Sequence, residues 1–323
     1  MNVMVTGGLG FIGHNVVKFL EQENHHVSII DNKTNYGFIS KEELDYLISE
    51  RRKKIKTGVF GIDIRQTDAV DYAFRTTKPE VVIHCASFPR QKIVSINPSL
   101  GSEVMCTGLI NLLEAAVKHG VRRFLYVSSS MVYGDFDNDV AEYAPCKPIG
   151  QYGIMKYMGE KLVEDYHRRT GLEFVIIRPS AVYGELDVED RVVSKFMMAA
   201  MRGETLTVKG SNEILDFTYV EDAAMGITLA ALHEKSKNNI YNITRSDRKL
   251  YTLKDAAELA ISIAGKGSYE IQDKDASFPS RGRLCIDKAV HDFSYMPQVS
   301  VEEGFRRYHT WFRHSAYWSE KLK

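Results

Sequence analysis

The chain has 323 residues, with 42 basic and 42 acidic side chains, 44 % hydrophobic and 26 % charged residues. That is ordinary globular composition, long enough for a two-lobed enzyme, and balanced charge without a basic stripe gives no footprint for nucleic acid. The start at Val3–Val5 shows no basic leader, and no apolar run nears the roughly 20 residues of a membrane helix, so neither a signal peptide nor a membrane partner is expected. Cys85, Cys106, Cys146 and Cys285 are scattered without a CxxC pair or His/Cys spacing. No metal site is therefore expected, and such thiols suit a reducing cytoplasm. The short run Arg51-Arg52-Lys53-Lys54 reads as a solvated helix end.

In chain order, Val3–Val5, Val27–Ile30, Val81–His84, Phe124–Val127 and Phe174–Ile177 read as buried strands. Helical patterns at Ile12–Glu21, Asp68–Thr76, Val104–Lys118 and Tyr152–Arg168 separate them. This alternation predicts βαβ units and an α/β fold with a doubly wound parallel sheet of the Rossmann type. Further on, Val192–Met201, Glu221–His233, Leu253–Ala264 and Val301–Phe312 read as helices and Asn239–Ile243 as one more strand, with loops at Tyr183–Arg191 and Asp273–Arg283. Residues 1–178 with about 213–245 are expected to form the Rossmann domain. About 179–212 with 246–323 are expected to form a smaller mixed α/β lobe that binds substrate.

The first strand runs into Thr6-Gly7-Gly8-Leu9-Gly10-Phe11-Ile12-Gly13, a G-x-G-x-x-G pattern that opens a helix. Glycines there permit the tight turn, the approach of backbone to a pyrophosphate and close helix–strand packing. Gly7, Gly10, Phe11 and Ile12 are thus candidate cofactor contacts at a helix N-terminus. Asp31 ends the next strand and can accept from both ribose hydroxyls. A 2′-phosphate would face its carboxylate, so NAD is favoured over NADP. Asp63, with Ile64 beside it, either holds the adenine amine or serves as a turn residue.

A second group carries the chemistry. The fifth strand ends in Ser128-Ser129-Ser130-Met131-Val132-Tyr133-Gly134, and Tyr152 and Lys156 follow, four apart on one helix face. Oxidising an alcohol needs a base for the hydroxyl proton. A tyrosine, pKa near 10 when free, is expected to serve once a neighbouring lysine ammonium favours phenolate. Lys156 can also hold the nicotinamide ribose, and a serine can orient the substrate oxygen.

Together these residues resemble the extended short-chain dehydrogenase/reductase family, the nucleotide-sugar epimerases and dehydratases, and within it the UDP-galactose 4-epimerase pattern. The resemblance covers nearly the whole chain. It implies that Asp31, Asn32 and Asn35 surround the adenosine ribose. It also implies that Cys85, Ala86, Ser87 and Ser128 line the cofactor, and that Ser129, with Ser130 as runner-up, partners Tyr152. Ser280-Arg281-Gly282 is similar to the family's late diphosphate-binding arginine. Dehydratases of the family carry acids at 129–131, and the decarboxylases carry a glutamate. Met131 can serve as neither acid nor base. The chain departs from the family pattern at Ala181 and Leu215, where an asparagine and an arginine are usual; Arg191 or Arg281 would compensate. Met105 replaces another common asparagine. Phe88 and Tyr183 are candidate substrate contacts. The implied activity is C4 epimerisation of a nucleotide-diphosphate sugar through a transient 4-keto sugar, with a one-way 4-reductase or dehydrogenase as the enzymatic alternative and a non-catalytic NAD-binding protein as the other. A homodimer is expected by analogy, through helices near 104–118 and 152–168.

Overall fold

The structure is a computed structural model that describes residues 1–188 and 190–322. Seven strands form one parallel sheet: β1 (Asn2–Thr6), β2 (His26–Ile30), β3 (Val59–Phe60), β4 (Val81–His84), β5 (Arg123–Val127), β6 (Glu173–Pro179) and β10 (Asn239–Ile243). Their order is β3-β2-β1-β4-β5-β6-β10. Successive side chains of a strand point to opposite faces, so a continuous apolar run such as Val3-Met4-Val5 feeds two cores.

On one face α3 (Thr67–Thr77), α6 (Gly108–Lys118) and α7 (Gly150–Thr170) pack Phe74, Leu112 and Val163 against Met4, Val82 and Phe124. On the other, α1 (Gly13–Gln22), α9 (Val220–Leu232) and α11 (Asp287–Phe293) pack Val17, Ile227 and Phe293 against Val5, Ile83 and Leu125. A helix α2 (Lys41–Lys53) follows the β2 loop, with Ser40 accepting from Glu43 N at 3.1 Å as its cap. The short helices α4 (Gln91–Ile96) and α5 (Pro98–Ser102) lead through a π-helical turn at Glu103–Thr107 into α6. The stretch Pro98–Lys118 is long and apolar enough to cross a membrane by length and composition. Here it buries Val104, Leu109, Leu112 and Leu113 in the sheet core, as the central helix of a globular domain does.

The smaller lobe gathers α8 (Val192–Arg202), α10 (Leu253–Ala264), α12 (Val301–His314) and α13 (Ala316–Lys321). Two parallel pairs complete it, β8 (Thr205–Lys209) with β11 (Ser268–Gln272) and β7 (Val182–Tyr183) with β9 (Thr218–Tyr219). Packing draws the domain border differently from the sequence expectation at two places. Leu215, Phe217 and Tyr219 join the small-lobe core, where Phe217 meets Tyr183 and Phe305 edge-on. Conversely, Ile286–Tyr295 returns to the sheet, where Phe293 packs on Tyr241 of β10 at 4.9 Å between ring centres. Burying one such ring stabilises by about 1.5–3 kcal/mol, enough to decide which lobe a short helix joins.

Candidate active site

The site forms where the sheet's carboxyl edge meets the smaller lobe. Gly7 turns the chain at φ 70° and donates to Ile30 O at 2.7 Å. A Cβ on Gly13 would stand 2.1 Å from Gly7 O, and that carbonyl is held by Gly10 N at 2.9 Å. The N-terminus of α1 carries no side-chain cap, and His14 N donates to Gly10 O of the turn at 3.1 Å. Asp31 Oδ2 accepts from Leu9 N at 2.9 Å and Oδ1 from Lys33 N at 2.7 Å, which fastens the turn to β2. A carboxylate has about four acceptor positions, so ribose hydroxyls can still be received. Burial pushes the Asp31 carboxyl up, opposed by these two backbone bonds and by Arg51.

The residues expected around adenosine are largely occupied with one another. Asn32 Nδ2 donates to Asp63 Oδ2 at 3.2 Å, and Asp63 takes a bidentate bond from Arg65 at 3.0 and 2.7 Å. Arg65 holds the Asp63 carboxyl below its ordinary range. Asn35 spends its amide inside its own loop, on Ile39 O and Gly37 N, both at 2.8 Å. Ile64 is core, packed against Gly108. A cavity of about 270 Å³ opens beside Asp63, Arg65, Gln66, Glu103 and Thr107.

At the end of β5 the three serines part. Ser128 turns inward to Glu160, and Ser130 Oγ donates to Ser180 Oγ at 3.1 Å, both nearly fully buried. Ser129 alone is partly exposed; its Oγ accepts from Met131 N at 3.2 Å, and its hydroxyl acts on the Tyr152 phenol, lowering it. Lys156 lies one turn on, its Nζ 5.9 Å from the Tyr152 ring centre and donating to Val127 O at 2.7 Å. Burial pushes the ammonium down to about 8, opposed by Cys85 and Glu160. The phenol does not behave as expected: burial pushes it up, and the cation opposing this is Arg191 rather than Lys156.

Arg191, at the N-terminus of α8, has its Nε 3.6 Å from Asp187 Oδ1 and interacts electrostatically with Arg90 and Arg281 as well as Tyr152. Burial pushes Arg281 down to about 10. The two arginines expected on the diphosphate side are thus close enough to repel one another. Ala181 holds φ at 38°, a conformation that suits asparagine better than alanine.

Two expected substrate contacts are withdrawn by packing. Phe88 is 1 % exposed and lies against Tyr36 at 4.4 Å, and Tyr183 is 2 % exposed with its hydroxyl donating to Val301 O at 3.2 Å. Three residues escaped the sequence reading: Arg51, Arg90 and Asp187. Arg51 is not a solvated helix end but 6 % exposed, donating to Leu9 O at 3.0 Å and Leu186 O at 2.6 Å. It ties the glycine turn to the smaller lobe. Nothing in a basic run distinguishes the member that tertiary packing buries.

The profile of the NAD dependent epimerase/dehydratase family matches residues 3–244. The chain belongs to this family. A putative UDP-glucose 4-epimerase of Methanocaldococcus jannaschii is 30 % identical over 97 % of this chain and 99 % of its own length. The UDP-glucose 4-epimerase of Thermotoga maritima, solved with UDP-glucose, superposes with a TM-score of 0.85 at 26 % identity over 100 % of both chains. That of Thermus thermophilus, solved with NAD, gives 0.84 at 26 % over 98 % of this chain and 100 % of its own. A mouse dTDP-D-glucose 4,6-dehydratase is also similar, 26 % identical over 96 % of this chain and 88 % of its own length. The family's NAD fits the residues present: the turn that a Cβ at Gly13 would fill, the uncapped N-terminus of α1 and the carboxylate of Asp31.

Proposed function

We propose that this member of the family is a nucleotide-diphosphate-sugar 4-epimerase that works through a transient 4-keto sugar. The observation that carries the reading is the end of β5. Ser129 is the partly exposed serine there and acts on Tyr152, and the neighbouring positions hold the buried Ser130 and Met131, which supply no acid for eliminating water. Bound NAD supplies a hydride acceptor and a positively charged ring. Tyr152 removes the C4 hydroxyl proton and later returns it, with Ser129 orienting the same oxygen. Arg191 offsets part of the burial that raises the phenol, and Lys156, cationic at neutral pH, stands 5.9 Å from its ring centre. Arg191 and Arg281 would hold the diphosphate, leaving the sugar free to turn. Exposed Ile110 and Val117 on α6 and Ile154 and Met158 on α7 support pairing of two copies through these helices.

Tyr152→Phe is the test. On a confirmed substrate, kcat should fall by roughly 10²–10⁴-fold with NAD still bound. Turnover near wild type would remove Tyr152 from the role of base.

A further inference from the structure

Beneath the lysine lies a charged cluster that the proposed chemistry does not use. Glu160 is one helical turn beyond Lys156 on α7 and wholly buried. Its carboxylate accepts from Arg178 of β6 twice, from Nε at 3.0 Å and Nη2 at 2.7 Å. The same Oε1 accepts from Ser128 Oγ at 2.5 Å. Arg178 runs on through Nη1 to Tyr133 Oη at 2.9 Å and Glu142 O at 3.0 Å, so the pair is braced from β10's side as well, where Tyr133 Oη donates to Asn242 Oδ1 at 2.8 Å. A buried ion pair is weak evidence of added stability, because desolvation cancels much of the attraction. Its position is more informative. Ser128 follows Val127, the residue whose carbonyl takes Lys156 Nζ at 2.7 Å, and its own N–H is held by Ile177 O at 2.7 Å.

The groups facing Lys156 narrow the choice further. His84 of β4 and Cys85 just after it stand nearby. Burial pushes His84 down to about 3 and the Cys85 thiol up to about 12, so both are uncharged near neutral pH. Tyr126 of β5 and Tyr152 of α7 present their rings at 5.1 and 5.9 Å. Among the described residues that act on Lys156, Glu160 is the one carboxylate.

We propose that Glu160, secured by Arg178, is a positioning residue for Lys156. Through Ser128 it fixes the Val127 carbonyl that orients the ammonium, and its charge keeps that ammonium cationic while Tyr152 works. The inference rests on the reading of Tyr152 and Lys156 as the catalytic pair.

The experiment uses the protein as purified with NAD, labelled with lysine carrying ¹³C at Cε, and follows the Lys156 resonance from pH 6 to 11, assigned by its loss in Lys156→Met. The double variant E160Q/R178Q removes both charges and leaves neither orphaned. Its Lys156 midpoint should fall by roughly one pH unit, and the alkaline limb of kcat should move down with it. Ser128→Ala should leave the midpoint in place and lower kcat several-fold at constant KM. A midpoint within about 0.3 units of wild type in the folded double variant overturns the proposal. Should that variant not fold, Glu160→Asp, which keeps the charge and withdraws it from Ser128, decides together with Ser128→Ala: wild-type kcat in both overturns it. The titration needs no substrate, so it is readable even if the epimerase reading fails. Turnover by the wild type with an unmoved midpoint would sink this inference alone.

Discussion

Replacing Arg51 with methionine should loosen the cofactor turn and the small lobe together. The guanidinium makes charged hydrogen bonds to Leu9 O at 3.0 Å and Leu186 O at 2.6 Å, inside a region where it is 6 % exposed. Each bond from a charged donor is worth about 1.5–3 kcal/mol, and a buried carbonyl left without a partner costs about 1–3 kcal/mol. Asp187 would keep Arg90 and Arg191 as neighbouring cations, and the methionine would fill part of the space. The net expectation is a destabilisation of about 3–5 kcal/mol, the range for breaking a buried charged contact. Urea unfolding followed by circular dichroism measures it. Because Leu9 lies in the turn, NAD should also dissociate at least about tenfold more readily, which equals 1.4 kcal/mol. Lys53→Met is the control: that side chain is 67 % exposed, and its loss should change stability by less than about 0.5 kcal/mol. An Arg51→Met protein within about 1 kcal/mol of wild type that retains NAD normally would refute the tie between turn and lobe.

Gly13→Ala would put a Cβ 2.1 Å from Gly7 O, backbone that cannot retreat without releasing Gly10 N, so the purified variant should carry no NAD as judged by absorbance of the acid extract. Tyr183→Phe should cost about 1 kcal/mol of stability, through the lost bond to Val301 O, and leave KM for any nucleotide sugar unchanged; a large KM rise would restore Tyr183 to the substrate site. Acid should destabilise the fold early. His14 and His84 are each pushed down to about 3 by burial, whereas in the unfolded chain they titrate near 6.5. Below about pH 6.5 the unfolded state therefore binds protons that the fold refuses, and stability falls by up to about 4 kcal/mol between pH 7 and pH 5. The carboxylates of Asp31, Asp187 and Asp216, pushed up by burial, act in the opposite sense at the lower end of this window. Equal urea midpoints at pH 7 and pH 5 would contradict the neutral burial of these histidines.

What could be read from the chain and what could not differ in the range of the forces involved. The bounds of β4, β10 and α10 are legible because local signals set them: an apolar run, and for α10 the capping box of Thr252 and Asp255. The four-residue spacing of Tyr152 and Lys156 likewise places both on one face of α7. By contrast, α2 is rich in charge, and the burial of Glu43 and Arg51 in it is a tertiary event. The alternation of Leu206 and Val208 in β8 was a usable strand signal that the sequence reading passed over. Tyr183 sits just beyond a strand, where a ligand contact is reasonable, but Gly304 leaves room for α12 to close over its hydroxyl. The return of α11 to the sheet depends on Phe293 meeting Tyr241, a contact across 52 positions that no local pattern announces.

Transient oxidation at C4 is tested most directly by proton NMR of the purified protein in deuterated water, without added cofactor, against UDP-, GDP-, CDP- and dTDP-sugars. The predicted result is a new anomeric signal from one of them with no deuterium in the product, because the hydride leaves and returns within the site. Deuterium incorporation would point to an enolised intermediate, and product formation only after NADH is supplied would point to a one-way reductase. Either result would contradict the 4-epimerase reading.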